Sequence, residues 1–296
     1  MDIQAELMRI SDIVSAGFTE RFGATDSDYA VLHEAELYSL LAGGKRIRPF
    51  LVFQVCKMFG GDVEKALPLA LAIEAVHTYS LIHDDLPCMD DDNLRRGKPT
   101  CHVQFGEANA LLAGDALLTR AFELIAVAED LSAELRVDAI RVLAEASGDH
   151  GMLAGQVMDM LAEQVTLSED ALIRLHGLKT GALIRAACRL GLIAAGIPIC
   201  DSDPRIKAID CYAEYIGLAF QVVDDILDRT GTEEALGKPI GSDAENGKST
   251  FLSYMTVSEA EQFAVELTER AVSEISEYDS TGVLSDFAYF LCNRNH

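Results

Sequence analysis

Two clusters of aspartates are the residues in this sequence whose type and spacing could do chemistry. Each cluster follows a strongly apolar stretch, and together they contain Asp84, Asp85, Asp90, Asp224, Asp225 and Asp228. Asp224 and Asp228 are four residues apart, so both lie on one face of the segment if it is helical. Like charges at that spacing repel, which destabilises the helix unless a cation lies nearby.

Divalent metal ions are the cations that such clusters favour. Mg²⁺ prefers carboxylate oxygens, keeps several water ligands and is commonly held by one or two carboxylates together with the phosphates of a substrate. A single Asp-Asp pair is more often a solvated helix end, but this sequence has two clusters of nearly the same pattern. The clusters therefore predict a Mg²⁺ site that binds a diphosphate through the metal.

Compact basic groups stand out in a chain in which 48 acidic residues outnumber 24 lysines and arginines. They contain Lys45, Arg48, Arg95, Arg96, Lys179, Lys238 and Lys248. The planar guanidinium of arginine suits phosphate oxygens, and lysine supplies a mobile point charge. Gly43 and Gly44 precede Lys45 and would let backbone amides approach an anion closely. Any one of these cations could be an ordinary surface residue, but their grouping predicts an anion site, with Lys45 and Arg48 as its main residues.

Two further features near the clusters have both a structural and a functional interpretation. His77 lies seven residues before Asp84, about two helical turns, and therefore on about the same face. It is either a structural histidine or part of the site. Gly151 and Gly155 are four residues apart, with Gln156 and Asp159 close behind. This segment either packs closely against another helix or supports the site with polar groups.

The elements that must position these residues are helices. Apolar residues recur at three- and four-residue steps, and runs of alternating β-branched residues are nearly absent. Breaks rich in glycine, proline and charge lie at 60–62, 87–99, 148–151, 196–198 and 230–248. The pattern predicts an all-α protein of about ten helices with no convincing strand.

Bulk composition limits the class of protein. We expect the 296 residues to form one domain, residues 1–296, and a content of 49% hydrophobic and 24% charged residues is typical of a folded protein. The net charge of −24 argues against nucleic acid as a partner, and no apolar stretch is long enough for stable membrane insertion. Seven cysteines without a CxxC pair, and a start that lacks a secretory signal, favour a reducing cytoplasm.

Together, these residues resemble the trans-prenyltransferase (polyprenyl diphosphate synthase) family, and within it the bacterial farnesyl diphosphate synthases. The resemblance runs from about residue 40 to about residue 252 and implies a homodimer whose subunits are antiparallel helical bundles around a deep central cavity. The two aspartate clusters would face each other at the mouth of the cavity. About three Mg²⁺ ions, for which Mn²⁺ can substitute, would bridge them to an allylic diphosphate.

The resemblance also implies a role for each matching residue. Asp84, Asp90 and Asp224 would ligate metal directly, and Asp85, Asp225 and Asp228 would ligate it or orient metal-bound water. Arg95, Lys179 and Lys238 would contact the allylic diphosphate. Lys45, Arg48, His77 and Arg96 would hold isopentenyl diphosphate without metal. Thr180 and Gln221 would line the reacting centre beside Lys179, and Lys248 matches a second lysine after the second cluster.

The reaction implied by the resemblance joins isopentenyl diphosphate to dimethylallyl or geranyl diphosphate. The allylic carbon–oxygen bond ionises, the isopentenyl double bond attacks the cation, and loss of a proton gives a trans double bond. Tyr79 and Ser80, just before the first cluster, would limit the length of the product. Farnesyl diphosphate is the expected product, with geranyl and geranylgeranyl diphosphate as alternatives.

Three other interpretations compete with this one. A metal-dependent phosphohydrolase could use His83 and Asp84, but it leaves the second cluster unexplained. A terpene cyclase would share the fold, although its second metal motif usually contains asparagine, serine and glutamate. A catalytically silent partner of a related synthase would be expected to have lost aspartates, and here both clusters are intact.

Overall fold

A computed structural model describes residues 2–23, 28–162, 165, 167–230 and 249–293. The all-α class predicted from the sequence is confirmed. Thirteen α-helices lie within the described residues: α1 (Ile3–Phe22), α2 (Ala30–Leu40), α3 (Ile47–Met58), α4 (Val63–Asp84), α5 (Cys101–Phe105), α6 (Glu107–Ala126), α7 (Ala133–Ser147), α8 (Met152–Ala162), α9 (Glu169–His176), α10 (Ala182–Ala194), α11 (Pro204–Thr230), α12 (Val257–Ile275) and α13 (Val283–Cys292).

Side-chain caps begin several of these helices. Asp62 accepts a hydrogen bond from the backbone N–H of Glu64 at 3.0 Å and so starts α4, the helix that ends at the first aspartate cluster. Thr256 starts α12 with a capping box in which its side chain and that of Glu259 each accept from the other's backbone N–H. Such caps satisfy N–H groups that have no partner within the helix, and each stabilises it by about 1 kcal/mol.

The main core is built around α4. This helix packs against α3, α6 and α10, and the side chains of Leu69, Leu71 and Ile73 are fully buried. Because α4 is enclosed by neighbours over most of its length, the direction of its last turn is fixed. Its last turn carries Asp84 to the edge of the core.

A second apolar cluster supports the second aspartate group. Val222 on α11 packs with Phe251, Ala264 and Leu267, so the C-terminal half of α11 lies against α12. Side chains at 222 and 226 face this cluster and leave Asp224 on another face of α11. Among the described helices, none combines the length and apolarity needed to cross a bilayer.

Two local features differ from the sequence expectation. A two-stranded antiparallel hairpin joins β1 (Leu94–Arg95) to β2 (Lys98–Pro99), where no strand was expected. Its turn places Arg96 at φ 53° and Gly97 at φ 74°, a pair of positive values typical of a tight hairpin turn. Five residues, Gly177–Gly181, form a π-helical turn between α9 and α10. The sequence pattern predicts one continuous helix there.

Candidate active site

Three adjoining cavities bring most of the predicted site residues together. The first, of about 670 Å³, is lined by Lys45, Arg48, His77, Arg96, Thr180 and Gln221 among others. The second, of about 370 Å³, is lined by Arg48, His77, Tyr79, Ser80, Asp84, Lys179 and Thr180 among others. The third, of about 240 Å³, has Lys179, Gln221, Asp224 and Asp225 in its wall. Because neighbouring cavities share lining residues, they form one connected site.

Asp84 is the aspartate of the first cluster that faces the second cavity. Burial raises the pKa of its carboxyl to about 6, an effect that Lys179 opposes and the nearby Asp90 reinforces. The loop after α4 folds back tightly, since the backbone N–H of Asp90 donates to the Asp84 carbonyl at 2.9 Å. Asp84 therefore carries a negative charge that the surrounding protein leaves poorly compensated, and a bound cation would relieve it.

Asp85 has a different environment although it is the next residue. Its side chain is buried and accepts hydrogen bonds from the Arg95 guanidinium at 2.6–2.9 Å. The two residues line a fourth cavity of about 30 Å³, which adjoins the first cavity because Arg96 lines both. Asp85 thus fixes the position of Arg95 in this structure, and the metal and diphosphate roles of the pair stay predictions.

The three aspartates of the second cluster also differ from one another in their surroundings. Asp224 accepts a hydrogen bond from Gln221 Nε2 at 3.4 Å, and the Thr180 hydroxyl donates to Gln221 Oε1 at 3.3 Å. Asp225 is buried and accepts from the backbone N–H of Phe251 at 2.7 Å. Asp228 is buried as well. Asp224 is therefore coupled through Gln221 to the centre of the connected site.

The π-helical turn places Lys179 between the two aspartate walls, since Lys179 lines both the second and the third cavity. Its ammonium group lies 2.6 Å from the Asp159 carboxylate. A Cβ atom on Gly155 would come within 2.3 Å of the Lys179 backbone nitrogen. The segment after Gly151 thus combines both interpretations left open by the sequence, because Gly155 permits close packing and Asp159 supplies polar support.

The basic residues surround the first cavity. His77 is neutral there, because burial and the arginines Arg48, Arg96, Arg46 and Arg95 hold its pKa well below the ordinary value. Arg96 donates to the carbonyl of Gly43. A Cβ atom on Gly44 would lie 2.6 Å from the Arg96 guanidinium.

This packing gives the two glycines a role that the sequence did not indicate. The expectation that Gly43 and Gly44 bring backbone amides close to an anion stays a prediction. In the structure Gly43 offers its carbonyl oxygen, an acceptor, and Gly44 provides space for the Arg96 side chain. The glycines therefore position a cation, and the contact with Arg96 could not be read from the sequence because it joins residues 52 or more positions apart.

Three residues that line the site were not predicted from the sequence. Arg46 and Glu74 form a buried ion pair at 2.6 Å beside the first cavity. His176 lines the third cavity, stacks on the Phe251 ring at a centroid distance of 5.4 Å, and has its pKa lowered to about 4, chiefly by burial. A charged Glu74 one turn before His77 in an otherwise apolar helix was the available signal for the ion pair.

Tyr79 and Ser80 lie in the wall of the second cavity with Met89 and Met152. Tyr79 is 4% exposed, and its hydroxyl is buried with no hydrogen-bond partner among the described residues. Burial and the charge of Asp84 raise its pKa to about 12. Lys238 and Lys248 lie outside the described residues, and Asp90 and Asp228 line none of these three cavities in the described part of the chain.

The donor set of the site fits a hard divalent cation. Within the described residues, no three histidine, cysteine, aspartate or glutamate side chains are grouped closely enough to hold an ion by themselves. The carboxylates stand instead on two walls, with Asp84 on one and Asp224 on the other. Mg²⁺ suits this arrangement because it takes one or two carboxylates and completes its shell with water and substrate phosphates.

An all-α bundle whose connected cavity carries aspartates on two walls and a basic pocket defines the class of isoprenyl diphosphate synthases. Comparisons with known proteins agree. The family model described as polyprenyl synthetase matches residues 29–280. The chain therefore belongs to the polyprenyl synthetase family, and the resemblance stated from the sequence is confirmed.

Individual relatives cover nearly the whole chain. A farnesyl diphosphate synthase from Haemophilus influenzae is 44% identical over 292 residues, which are 98% of this chain and 97% of the relative. A farnesyl diphosphate synthase from Escherichia coli is 48% identical over 88% of this chain and 89% of its own length. The solved FPP/GFPP synthase from Zymomonas mobilis superposes with a TM-score of 0.87 at 35% identity, covering 98% of this chain and 99% of that one.

Proposed function

We propose that this protein is a Mg²⁺-dependent trans-prenyltransferase that condenses isopentenyl diphosphate with dimethylallyl and then geranyl diphosphate to give farnesyl diphosphate. The observation that carries this proposal is the position of Lys179 between Asp84 and the Asp224 wall, in cavities that adjoin a basic pocket. Such a site has one place for a diphosphate held through metal and one for a diphosphate held by cationic side chains. The farnesyl diphosphate synthases at 44% and 48% identity support the product.

The first step is loss of diphosphate from the allylic substrate. Bound Mg²⁺ would neutralise charge on the departing diphosphate, and Asp84 and Asp224 are the carboxylates placed to hold it. Lys179 would lie beside the leaving oxygen, where negative charge develops, and its bond to Asp159 keeps its ammonium group in place. A fixed cation at that point stabilises the transition state more than the ground state.

The second step is attack by the isopentenyl double bond. Lys45, Arg48 and Arg96 would bind the diphosphate of that substrate in the first cavity, with neutral His77 available as a hydrogen-bond donor. Thr180 and Gln221 stand where the cavities join, and their mutual hydrogen bond fixes both side chains near the new bond. The proton lost from the resulting cation would pass to the released diphosphate, which can act as a base.

The growing chain would occupy the second cavity. Met89, Met152 and Tyr79 give that cavity apolar walls, which keep water away from the cation. We propose that Tyr79 and Ser80 set the product length. A geranylgeranyl diphosphate synthase from Cyanophora paradoxa is 45% identical over 270 residues, which makes a C20 product the alternative outcome to test.

We further propose one domain, a homodimer and a cytoplasmic location. Exposed apolar side chains on α6, namely Leu111 and Leu112, are residues that a second copy could cover. The seven cysteines are free thiols, which fits a reducing compartment. Mn²⁺ would substitute for Mg²⁺ because it accepts the same oxygen ligands.

The decisive experiment is incubation with labelled isopentenyl diphosphate and geranyl diphosphate, with Mg²⁺ or with EDTA, followed by separation of products by chain length. We expect a C15 product that requires Mg²⁺, and loss of most of the activity in Asp84→Ala. Exposed Asp149→Ala is the matched control and should retain full activity. Condensation at the wild-type rate in EDTA, or in Asp84→Ala, would contradict the proposal.

A further inference from the structure

A buried carboxylate lies beneath the basic pocket. Glu74 is 2% exposed and belongs to α4, one turn before His77. Arg46 donates a hydrogen bond to Glu74 Oε1 at 2.6 Å, and a second nitrogen of the same guanidinium donates to the carbonyl of Leu40. Arg46 therefore ties the end of α2 to the middle of α4 through its side chain.

This tether fixes the backbone from which the ligand-facing cations project. Arg46 has left-handed backbone angles, φ 48° and ψ 38°, immediately before the first turn of α3. A non-glycine residue keeps such a conformation when surrounding contacts require it. Because Lys45 and Arg48 flank Arg46 in the chain, holding Arg46 on Glu74 sets the directions in which both leave the backbone.

Charge gives Glu74 a second role. The residues lining the first cavity include four cations, Lys45, Arg46, Arg48 and Arg96, and within the described residues Glu74 is the one carboxylate among them. After desolvation, the charge of Glu74 is the largest influence on the pKa values of Arg48 and Arg96, and it raises both. Without that charge, the arginines would repel one another in a partly dry pocket.

We propose that Glu74 is the counter-ion and positioning residue of the basic pocket, and that its charge limits how tightly the pocket holds a diphosphate. This inference rests on the proposed function. In the proposed reaction the allylic diphosphate departs, and the diphosphate of isopentenyl diphosphate is retained in the product. The basic pocket must therefore attract a diphosphate as substrate and release the same group at the end of each cycle.

The test uses inorganic diphosphate as the probe, with metal removed by EDTA. Under these conditions the aspartate walls repel the anion, so binding measured by calorimetry reports on the basic pocket. We expect Glu74→Gln, which keeps the shape and removes the charge, to bind inorganic diphosphate about tenfold more tightly than the unmodified protein. Glu74→Asp keeps the charge and should bind within about threefold of it.

Steady-state kinetics then separate this role from a purely structural one. In Glu74→Gln kcat should fall, because the diphosphate group is held longer, and kcat/KM should rise for isopentenyl diphosphate while it stays unchanged for geranyl diphosphate. Damage to the fold would weaken binding of both substrates. Unchanged or weaker diphosphate binding by a folded Glu74→Gln variant overturns the inference.

A double variant covers the case in which Glu74→Gln does not fold. Arg46→Met with Glu74→Met replaces a buried ion pair by apolar side chains and leaves the net charge of the pocket unchanged, a type of change that folded proteins commonly tolerate. We expect it to bind inorganic diphosphate about threefold more weakly than the unmodified protein, because the net charge is kept but the tether that directs Lys45 and Arg48 is lost. Binding as tight as in the unmodified protein, or tighter, would show that the tether positions nothing and would overturn the inference.

The same calorimetry tells two kinds of failure apart. If the unmodified protein binds no inorganic diphosphate in EDTA, or if Arg48→Gln binds it as well as the unmodified protein, the basic pocket of the proposed function is wrong and the role of Glu74 is overturned with it. If Arg48→Gln loses binding and Glu74→Gln does not gain it, the proposed function stands and the counter-ion role alone is wrong.

Discussion

The Lys179 ammonium group lies 2.6 Å from the Asp159 carboxylate, and both side chains are largely withdrawn from solvent at 29% and 18% exposure. This pair joins α8 to the π-helical turn at the point where the second and third cavities meet. The carboxylate keeps the ammonium group aimed at the space between the aspartate walls.

Asp159→Asn should lower kcat/KM for geranyl diphosphate by about tenfold, because a neutral amide orients the Lys179 ammonium less firmly. The KM for isopentenyl diphosphate should not change, since its proposed pocket is formed by other side chains. Asp149→Asn, at an exposed position, is the control for loss of one negative charge. A raised KM for isopentenyl diphosphate, or an unchanged kcat, would argue against a positioning role for Asp159.

Gly155→Ala should destabilise the protein by about 1–3 kcal/mol and reduce activity, because its Cβ atom would lie 2.3 Å from the Lys179 backbone nitrogen. The backbone of the π-helical turn would have to move to make room. Gly177→Ala lies in the same turn, where a Cβ atom meets nothing within 4 Å, and should leave activity near normal. Urea unfolding and condensation assays on the two variants give the comparison, and equal effects would contradict it.

Tyr79→Ala should lengthen the products beyond C15, because it removes an aromatic ring from the wall of the second cavity. Tyr79→Phe keeps the ring and removes a buried hydroxyl that has no partner among the described residues. It should keep the C15 product and leave stability unchanged or raise it by about 1 kcal/mol. Product chain length by chromatography decides the matter, and unchanged C15 output from Tyr79→Ala would show that the limit lies elsewhere.

The lowered pKa of Glu6, a residue outside the site, predicts how the stability of the protein depends on pH. The hydrogen bond from Arg9, with further ones from Lys57 and Gln54, lowers its pKa to about 2, although burial opposes this effect. A carboxyl whose pKa is lowered by folding contributes stability above its unfolded value of 4.5, and the contribution is lost as the pH falls towards 2. Because Arg9 and Lys57 are about half exposed, the contribution at pH 7 should be about 1 kcal/mol.

The measurement for Glu6 is chemical unfolding of Glu6→Gln at several pH values. The variant should be less stable than the unmodified protein at pH 7 and should approach it near pH 2. Asp12→Asn on the same helix, at a site exposed to solvent, serves as the control. A difference of the same size at both pH values would show that Glu6 acts through packing.

The sequence predicted the site best where function depends on residue type and spacing along one helix. Asp84 after an apolar run, and Asp224 on one face of α11, could be located because a helix places side chains in a regular order. The all-α class followed from the same periodicity.

Features that depend on contacts between distant segments could not be predicted in this way. Asp84 and Asp85 look equivalent in the sequence, and only the hairpin at Arg95 separates them by binding one of the two. The place of Arg96 against Gly44 depends likewise on a turn with positive φ angles. The buried pair of Arg46 and Glu74 joins residues 28 positions apart, and no local pattern indicates such a partner.

The π-helical turn at Gly177–Gly181 has a consequence for the register of the chain. A π turn contains one residue more than an α-helical turn, and one residue corresponds to a rotation of about 100° around the helix axis. Leu172 before the turn packs into the cluster beneath the second aspartate group, whereas α10 after it packs into the main core. Deleting a single residue here would restore an ordinary helix and rotate one of these faces away from its partner. The extra residue thus rotates α10 relative to α9, so that each helix packs into a different core. Lys179 and Thr180 lie in the turn between them.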